Sequence, residues 1–366
     1  MRPTNGGKER IVVAMSGGVD SSVAAALLLE EGYDVVGLFM RSGIAAGDAA
    51  KTGKQGCCSI DDAMDAREVA AILGVPFFAL NFAADFARII DYFVDEYQRG
   101  RTPNPCVQCN RWLKFGKLLD YADEIGASRV ATGHYARIVE RGERLAIGRG
   151  RDSGKDQSYV LFPLDQPQLQ RTLLPLGGLE KTEVRALAAR FGLPVKDKPD
   201  SQEICFVPDN EYGNLLKARA PGSIRPGPML DVRGDRVGTH HGHQLYTIGQ
   251  RKGLGAFGKP MFVVETRPDE NVVVVGGEDD IESTALLASD IIWGGAVLRP
   301  GDRVQGAVKV RSRQEPHPAT ATLSGDGRLR IDFDTPLRAV TPGQAAVFYA
   351  DDQVLFGGFI DAALRS

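Results

Sequence analysis

The sequence predicts an α/β protein: a doubly wound parallel sheet, then a small central domain, then a C-terminal β-barrel. Three observations predict this. In the first half, short apolar runs alternate with helical segments, the rhythm of a parallel sheet with helices on both faces. Near Ala220–Pro228 (APGSIRPGP), proline and glycine crowd together as in a linker. Beyond it, short strand-type runs recur between Gly, Asp and Pro turns, the texture of a small barrel. The expected domains are residues 1–218, 219–282 and 283–366.

Each element has a local reason. Arg10–Met15 (RIVVAM) is a short apolar strand, and Ser21–Glu31 reads as a helix closed by Gly32. Asp34–Met40 is a second apolar strand. Ile60–Leu73 is helical, stopped by Gly74 and Pro76, and Val75–Leu80 is a third strand. Ala84–Arg99 and Trp112–Ile125 have helical periodicity, and Arg129–Thr132 is a fourth strand. In the C-terminal part, MFVVE, NVVVV, RVQGAVKV, ATATL, LRIDF and AAVFYA read as strands.

Composition narrows the class. At roughly 100–200 residues per domain, 366 residues suggest two or three domains. A hydrophobic share of 43% and a charged share of 25% exclude disorder as the main state. The 43 glycines show no collagen period and favour turn-rich or ligand-cradling loops. The apolar run Val23–Leu29 is far short of the ~20 residues that span a bilayer. MRPTNGGKER lacks signal-peptide character, so a cytoplasmic protein without a membrane partner is expected. Net charge is −3, which argues against a wholly basic nucleic-acid binder but permits a local patch. Five cysteines in such a chain point to catalytic, redox or metal-ligand thiols before a disulfide framework.

The segment Met15-Ser16-Gly17-Gly18-Val19-Asp20-Ser21-Ser22 lies between the first strand and the first helix. Its glycines let backbone N–H groups approach an anion, its serines add hydroxyl donors, and the helix adds a positive dipole end. SGGVDSS resembles the pyrophosphate loop of the PP-loop ATP pyrophosphatases, which release pyrophosphate and adenylate a substrate. Two other glycine patterns fail. Gly253–Gly258 fits GxGxxG, but a strand-like segment follows it instead of a helix. A Walker A reading of Gly253–Lys259 puts Pro260 where the Mg²⁺-binding Ser/Thr belongs.

Cys106 and Cys109 form C-x-x-C in TPNPCVQCN, and Cys205 lies far downstream in SQEICFV. One C-x-x-C supplies half of a structural zinc site. Cys205, flanked by Ile and Phe, also suits a buried apolar position. Cys57 and Cys58 sit in a glycine-rich stretch with no assigned role.

SGGVDSS, Thr102–Phe115, Ala131–Arg137, Lys155–Tyr159, Cys205, Tyr246–Gly255 and Thr341–Tyr349 follow one another in order. Together they resemble the tRNA-specific 2-thiouridylases over essentially the whole chain. The resemblance implies an adenine nucleotide alpha hydrolase-like PP-loop domain and ATP-dependent 2-thiolation of the wobble uridine of tRNA. The base's C2 oxygen would be adenylated and then displaced by sulfur. A free thiol is largely protonated at neutral pH, so an activated or persulfidated cysteine is expected.

The resemblance assigns residues. Cys205 carries the persulfide and Cys109 is the nucleophile that releases its sulfur, leaving a disulfide between them. Ala14, Met15, Ser16, Gly17, Gly18, Val19, Asp20, Ser21, Met40 and Gly133 correspond to ATP-contacting positions. Asn104, Pro105 and Cys106 correspond to the target-base region. His134, Lys155, Asp156, Gln157, Arg311, Ser312 and Gln344 correspond to tRNA contacts. Mg²⁺ accompanies ATP, with Asp20 as its candidate helper. The implied partners are tRNA and a sulfur donor, either a cysteine desulfurase relay or sulfide.

Many family members carry Asp where this chain has Cys106. Three cysteines, Cys106, Cys109 and Cys205, are also a ligand set for a 4Fe–4S cluster with one open iron, an alternative route for sulfur delivery. Two other functions stay open at this point: a PP-loop ligase adenylating a small carboxylate or amide, and a non-catalytic RNA-binding module. His240, His241 and His243 lack a metal partner at suitable spacing and read as a solvated loop. Basic residues gather in Arg99–Lys117, Arg129–Lys155 and Arg299–Arg313, which suits phosphate contacts and salt-sensitive tRNA binding.

Overall fold

In the computed structural model the first apolar run becomes strand β1 (Arg10–Ala14), fully buried from Ile11 onwards. The structure describes residues 7–43, 60–200, 204–207 and 211–365; Cys57 and Cys58 lie outside them. Two units divide the chain. One comprises Met1–Ile89, Cys106–Asn210 and Asp352–Val354; the other comprises Ile90–Pro105, Glu211–Asp351 and Leu355–Ser366.

In the first unit, β1 is followed by α1 (Val19–Glu30), β2 (Asp34–Arg41), α2 (Ile60–Leu73) and β3 (Phe77–Asn81). Helix α3 (Ala83–Gln98) follows, its residues from Ile90 onwards counting with the second unit. Next comes a continuous helix, α4, made of Pro105–Gln108, a π-helical stretch Cys109–Lys117, and Leu118–Glu124. The sequence places its start at Trp112. It begins at Pro105 because proline suits the first helical position, where its missing N–H costs no bond. Strand β4 (Arg129–Ala131), the hairpin β5 (Ala136–Arg141) and β6 (Arg144–Arg149), the short β7 (Thr172–Leu173) and α5 (Lys181–Arg190) complete the unit.

The sheet order is β3-β2-β1-β4-β7, with every pair parallel. Strand order therefore reverses between β1 and β4. In doubly wound sheets ligands bind at the carboxyl ends of the strands flanking that reversal. Helix α1 is apolar nearly all round and is correspondingly buried, sharing a core with Val184 and Ala188 of α5.

In the second unit, β8 (Gly227–Asp231), β9 (Arg236–His240), β10 (Phe262–Arg267) and β11 (Val272–Gly276) form a four-stranded sheet. After it come β12 (Glu282–Trp293), β13 (Arg303–Lys309), β14 (His317–Leu323), β15 (Leu329–Arg338), β16 (Ala345–Ala350) and β17 (Gln353–Leu364). They run β12-β15-β14-β13-β16-β17, and β12 pairs again with β17, closing a six-stranded barrel. Inward residues such as Leu286, Val308, Ile331, Phe348 and Phe356 fill it, and closure leaves it no free edge.

The histidine-rich turn is not a solvated loop. His240 is fully buried, with Nε2 at 2.8 Å from the Asn271 carbonyl oxygen and Nδ1 accepting from the Gly242 N–H. His243 is buried between the Asn271 side chain and the Gln98 carbonyl oxygen. Only His241 is exposed. The ring nitrogens of His240 and His243 satisfy backbone and amide groups inside the unit, which is why no metal partner was needed at helical spacing.

Candidate nucleotide and thiol site

The loop after β1 is shaped by its glycines. Gly17 has φ of +73°, and a β-carbon there would lie 2.2 Å from the Asp62 carbonyl oxygen. Only glycine fits that conformation and that contact. Gly18 is the N-cap of α1 and brings no side-chain cap, so the first N–H groups of the helix are left to an incoming anion. Serines brace the turn. Ser21 Oγ accepts from the Ser16 N–H at 3.1 Å, and Ser21 and Ser22 hydroxyls both donate to the Gly18 carbonyl oxygen.

Across the strand reversal, Thr132-Gly133-His134 follows β4. Gly133 lies so near the loop that a β-carbon on it would come within 2.7 Å of the Asp20 carbonyl carbon and the Ser21 nitrogen. His134 is buried, with Nδ1 at 2.7 Å from Thr132 Oγ1 and Nε2 at 3.4 Å from Lys114 Nζ. An ammonium only donates, so Nε2 accepts and Nδ1–H donates to Thr132. Burial, and then the Lys114 charge, hold the His134 pKa well below its ordinary value.

Two lysines that the sequence reading did not single out grip the loop. Lys181 contacts both carboxylate oxygens of Asp20, at 2.7 and 2.8 Å, and Tyr135 donates its hydroxyl proton to the same carboxylate at 2.6 Å. Lys198 donates to the Gly17 carbonyl oxygen at 3.0 Å and to Asp62 at 2.7 Å, and also pairs with Asp65. These pairings bridge more than a hundred residues, and no local spacing signals them.

The thiols lie on the same side of the sheet core. Cys109 opens the π-helical stretch of α4. It and Cys205 pack against one apolar cluster built from Val12, Ala14, Leu38, Phe82, Leu113 and neighbours, which Met40 also joins. Ala14 and Met40, both expected at the nucleotide, therefore share a cluster with the two expected sulfur carriers. The buried amide oxygens of Gln108 and Asn110, on either side of Cys109 in sequence, have no hydrogen-bond partner.

The three-cysteine cluster set is not assembled. Among the described residues, no group of three His, Cys, Asp or Glu side chains is gathered closely enough to hold a metal. Cys106 is exposed, whereas Cys109 and Cys205 are partly buried against the apolar cluster. We therefore derive no step through an iron–sulfur cluster.

Of the expected tRNA contacts, Lys155 is paired with Asp200 at 2.7 Å. Asp156 is turned inward and accepts from the Gly150 and Ser158 N–H groups and the Ser158 hydroxyl. Gln157 accepts from the Tyr135 N–H. In the second unit, Gln344 donates to the Thr102 and Pro103 carbonyl oxygens, holding the segment that leads to Asn104 and Pro105. Arg311 donates to the Ala339 carbonyl oxygen, and Arg311 and Ser312 are exposed. The basic runs are partly neutralised: Arg101 pairs with Glu96, Arg129 with Glu9, and Arg151 with Glu183.

A glycine-built phosphate loop at the reversal of a parallel sheet defines a nucleotide-binding domain of the PP-loop class. Residues 9–209 match the family model described as tRNA methyl transferase HUP domain. Residues 214–277 match its PRC-barrel domain, and 283–360 the aminomethyltransferase β-barrel domain. The tRNA-specific 2-thiouridylase MnmA of Carboxydothermus hydrogenoformans is 48% identical over 364 residues, covering 98% of this chain and 99% of that protein. The MnmA of Geobacter metallireducens is 49% identical over 366 residues, covering 99% of both. The chain belongs to the tRNA-specific 2-thiouridylase family.

Proposed function

We propose that the protein is an ATP-dependent tRNA sulfurtransferase that replaces the C2 oxygen of the wobble uridine with sulfur. The observation that carries this reading is the shared packing of Ala14, Met40, Cys109 and Cys205 on one apolar cluster beside the phosphate loop. That packing supports a reading in which the loop takes the nucleotide and the two thiols act on the same part of the sheet.

The chemistry divides between them. The base's O2 attacks the α-phosphorus of ATP and pyrophosphate leaves, which turns a poor leaving group into AMP. The terminal sulfur of a Cys205 persulfide adds to C2, and AMP departs. The Cys109 thiolate attacks Cys205 Sγ; the bond from that sulfur to the transferred one breaks, releasing the 2-thio base and forming a Cys109–Cys205 disulfide. A thiol reductant reopens the disulfide, and a persulfide donor reloads Cys205.

The Gly17–Gly18 backbone and the start of α1 suit the triphosphate, whose charge they meet with N–H groups and a helix dipole. Mg²⁺ accompanying ATP would offset the triphosphate charge; Asp20, already held by Lys181 and Tyr135, is the carboxylate of the loop that would help hold it. The test is tRNA-dependent ATP–pyrophosphate exchange together with thiolation of an unmodified tRNA transcript supplied with a persulfide donor. Exchange that needs tRNA, and 2-thiouridine that needs ATP, are the expected results. Exchange driven by a small carboxylate or amide without tRNA would favour the ligase reading.

A further inference from the structure

Asp200 lies five residues before Cys205, and its carboxylate meets three cations. Lys155 and Lys181 lie at 2.7 Å and Arg185 at 3.5 Å. Lys181 is the notable partner. Its side chain is 11% exposed, and the same ammonium that contacts Asp200 clamps Asp20 in the phosphate loop. Two residues before Asp200, Lys198 donates to the Gly17 carbonyl oxygen at the other end of that loop and is anchored by Asp62 and Asp65.

The segment 198–200 is therefore fastened to the loop at two points, one at Gly17 and one at Asp20. From Asp200 the chain can reach at most about 18 Å to Cys205 at ~3.3–3.6 Å per residue. A fixed Asp200 thus restricts where Cys205 can lie. Cys205 itself packs on the apolar cluster that Cys109 shares. Burial works to raise the Asp200 pKa, but the hydrogen bonds and charges of Lys155 and Lys181 outweigh it and draw the pKa down, so the carboxylate remains anionic and able to hold them.

We propose that Asp200 is a positioning residue: acting through Lys181 and Asp20, it registers the Cys205 segment on the phosphate loop, so that sulfur is delivered beside the activated base. The proposal rests on the sulfur-carrying role of Cys205 given above. Asp200 touches neither nucleotide nor base in this scheme, and its removal separates adenylation from sulfur transfer.

The test is peptide-resolved alkylation by iodoacetamide of the full-length protein without tRNA, combined with tRNA-dependent pyrophosphate exchange and thiolation. Asp200→Asn should raise the alkylation rate of Cys205 about fivefold or more while leaving Cys109 unchanged. It should lower the thiolation rate about tenfold, with the KM for ATP and the exchange rate within about threefold of wild type. Asp200→Glu should restore most of the thiolation, because it keeps the charge. Lys181→Met should loosen Cys205 in the same way and also raise the KM for ATP, since Asp20 loses its partner.

Equal acceleration at Cys109 and Cys205 would mean general loosening and would overturn the proposal. So would unchanged Cys205 alkylation in both Asp200→Asn and Lys181→Met, or exchange falling in parallel with thiolation. If wild type neither exchanges pyrophosphate on tRNA nor thiolates it, the functional reading falls, while the alkylation contrast still decides the tether.

Discussion

Gly133 stands against Ser21 so closely that a β-carbon on the glycine would lie 2.7 Å from the serine's amide nitrogen. Contacts that short force backbone to move. Gly133→Ala should therefore push the start of α1 and the phosphate loop away from the end of β4. The expected outcome is a KM for ATP raised at least tenfold and a stability loss of about 1–3 kcal/mol. Equilibrium denaturation and ATP titration of the exchange reaction check both. A variant with wild-type KM would show that the loop does not need this approach.

The cysteines should separate into two classes. Cys109→Ser and Cys205→Ser are expected to abolish 2-thiouridine formation and leave tRNA-dependent exchange within about threefold, because adenylation precedes sulfur transfer. Cys106 is exposed, outside the apolar cluster that holds the other two. Cys106→Asp should retain thiolation. Mass spectrometry of digested tRNA reads each variant, and a Cys109→Ser protein that still thiolates would remove its assigned role.

Binding of tRNA should weaken steeply with salt. Each phosphate neutralised by Lys or Arg releases counterions, with a slope of about −0.7 to −0.9 per contact in log K against log salt. A loss of tenfold or more between 50 and 200 mM salt is expected on the order of magnitude set by a few such contacts. Arg311, exposed in the second unit, should contribute about one unit of slope, so Arg311→Ala should flatten the line. Filter binding over a salt series measures this, and an unchanged slope would exclude Arg311 from the phosphate contacts.

Stability should fall as pH drops below about 6.5, the ordinary His pKa, and His134 should be one cause. Burial and the Lys114 charge depress its pKa in the fold, so the folded protein keeps it neutral while the unfolded chain takes up a proton. The unfolded state then binds more protons, and stability decreases with falling pH until the folded His134 also protonates. Above about 6.5, where both the folded and the unfolded chain hold the imidazole neutral, the group imposes no such penalty. His134→Gln should flatten this component, seen as a smaller difference in Tm between pH 7 and pH 5.5 than wild type shows.

The helix that carries Cys106 and Cys109 shows why a sequence reading stops where it does. Its apolar period is clear only from Trp112, because the TPNP segment ahead of it looks like a turn. The π-helical stretch Cys109–Lys117 shifts the facing of residues from the usual 3.6 spacing. The helices 19–30 and 60–73 were legible because glycines and apolar runs bound them locally. Strands β12 and β17, each 12 residues long, were not among the expected runs. Polar and small residues interrupt them, and barrel pairing, not local pattern, makes them strands.

The sequence by itself determined the alternating α/β first half, the phosphate loop, the position of its glycines and the identity of the thiols. Those features are written in neighbouring residues, through turn chemistry, apolar period and the needs of an anion. Tertiary structure alone decided that Lys181 holds Asp20, that Lys198 holds Gly17, that His240 and His243 are interior groups, and that Cys109 and Cys205 rest on one apolar cluster. Each of these joins residues distant along the chain. Their partnership depends on strand order and on what burial demands of a charge or a ring nitrogen, and neither is encoded in local spacing.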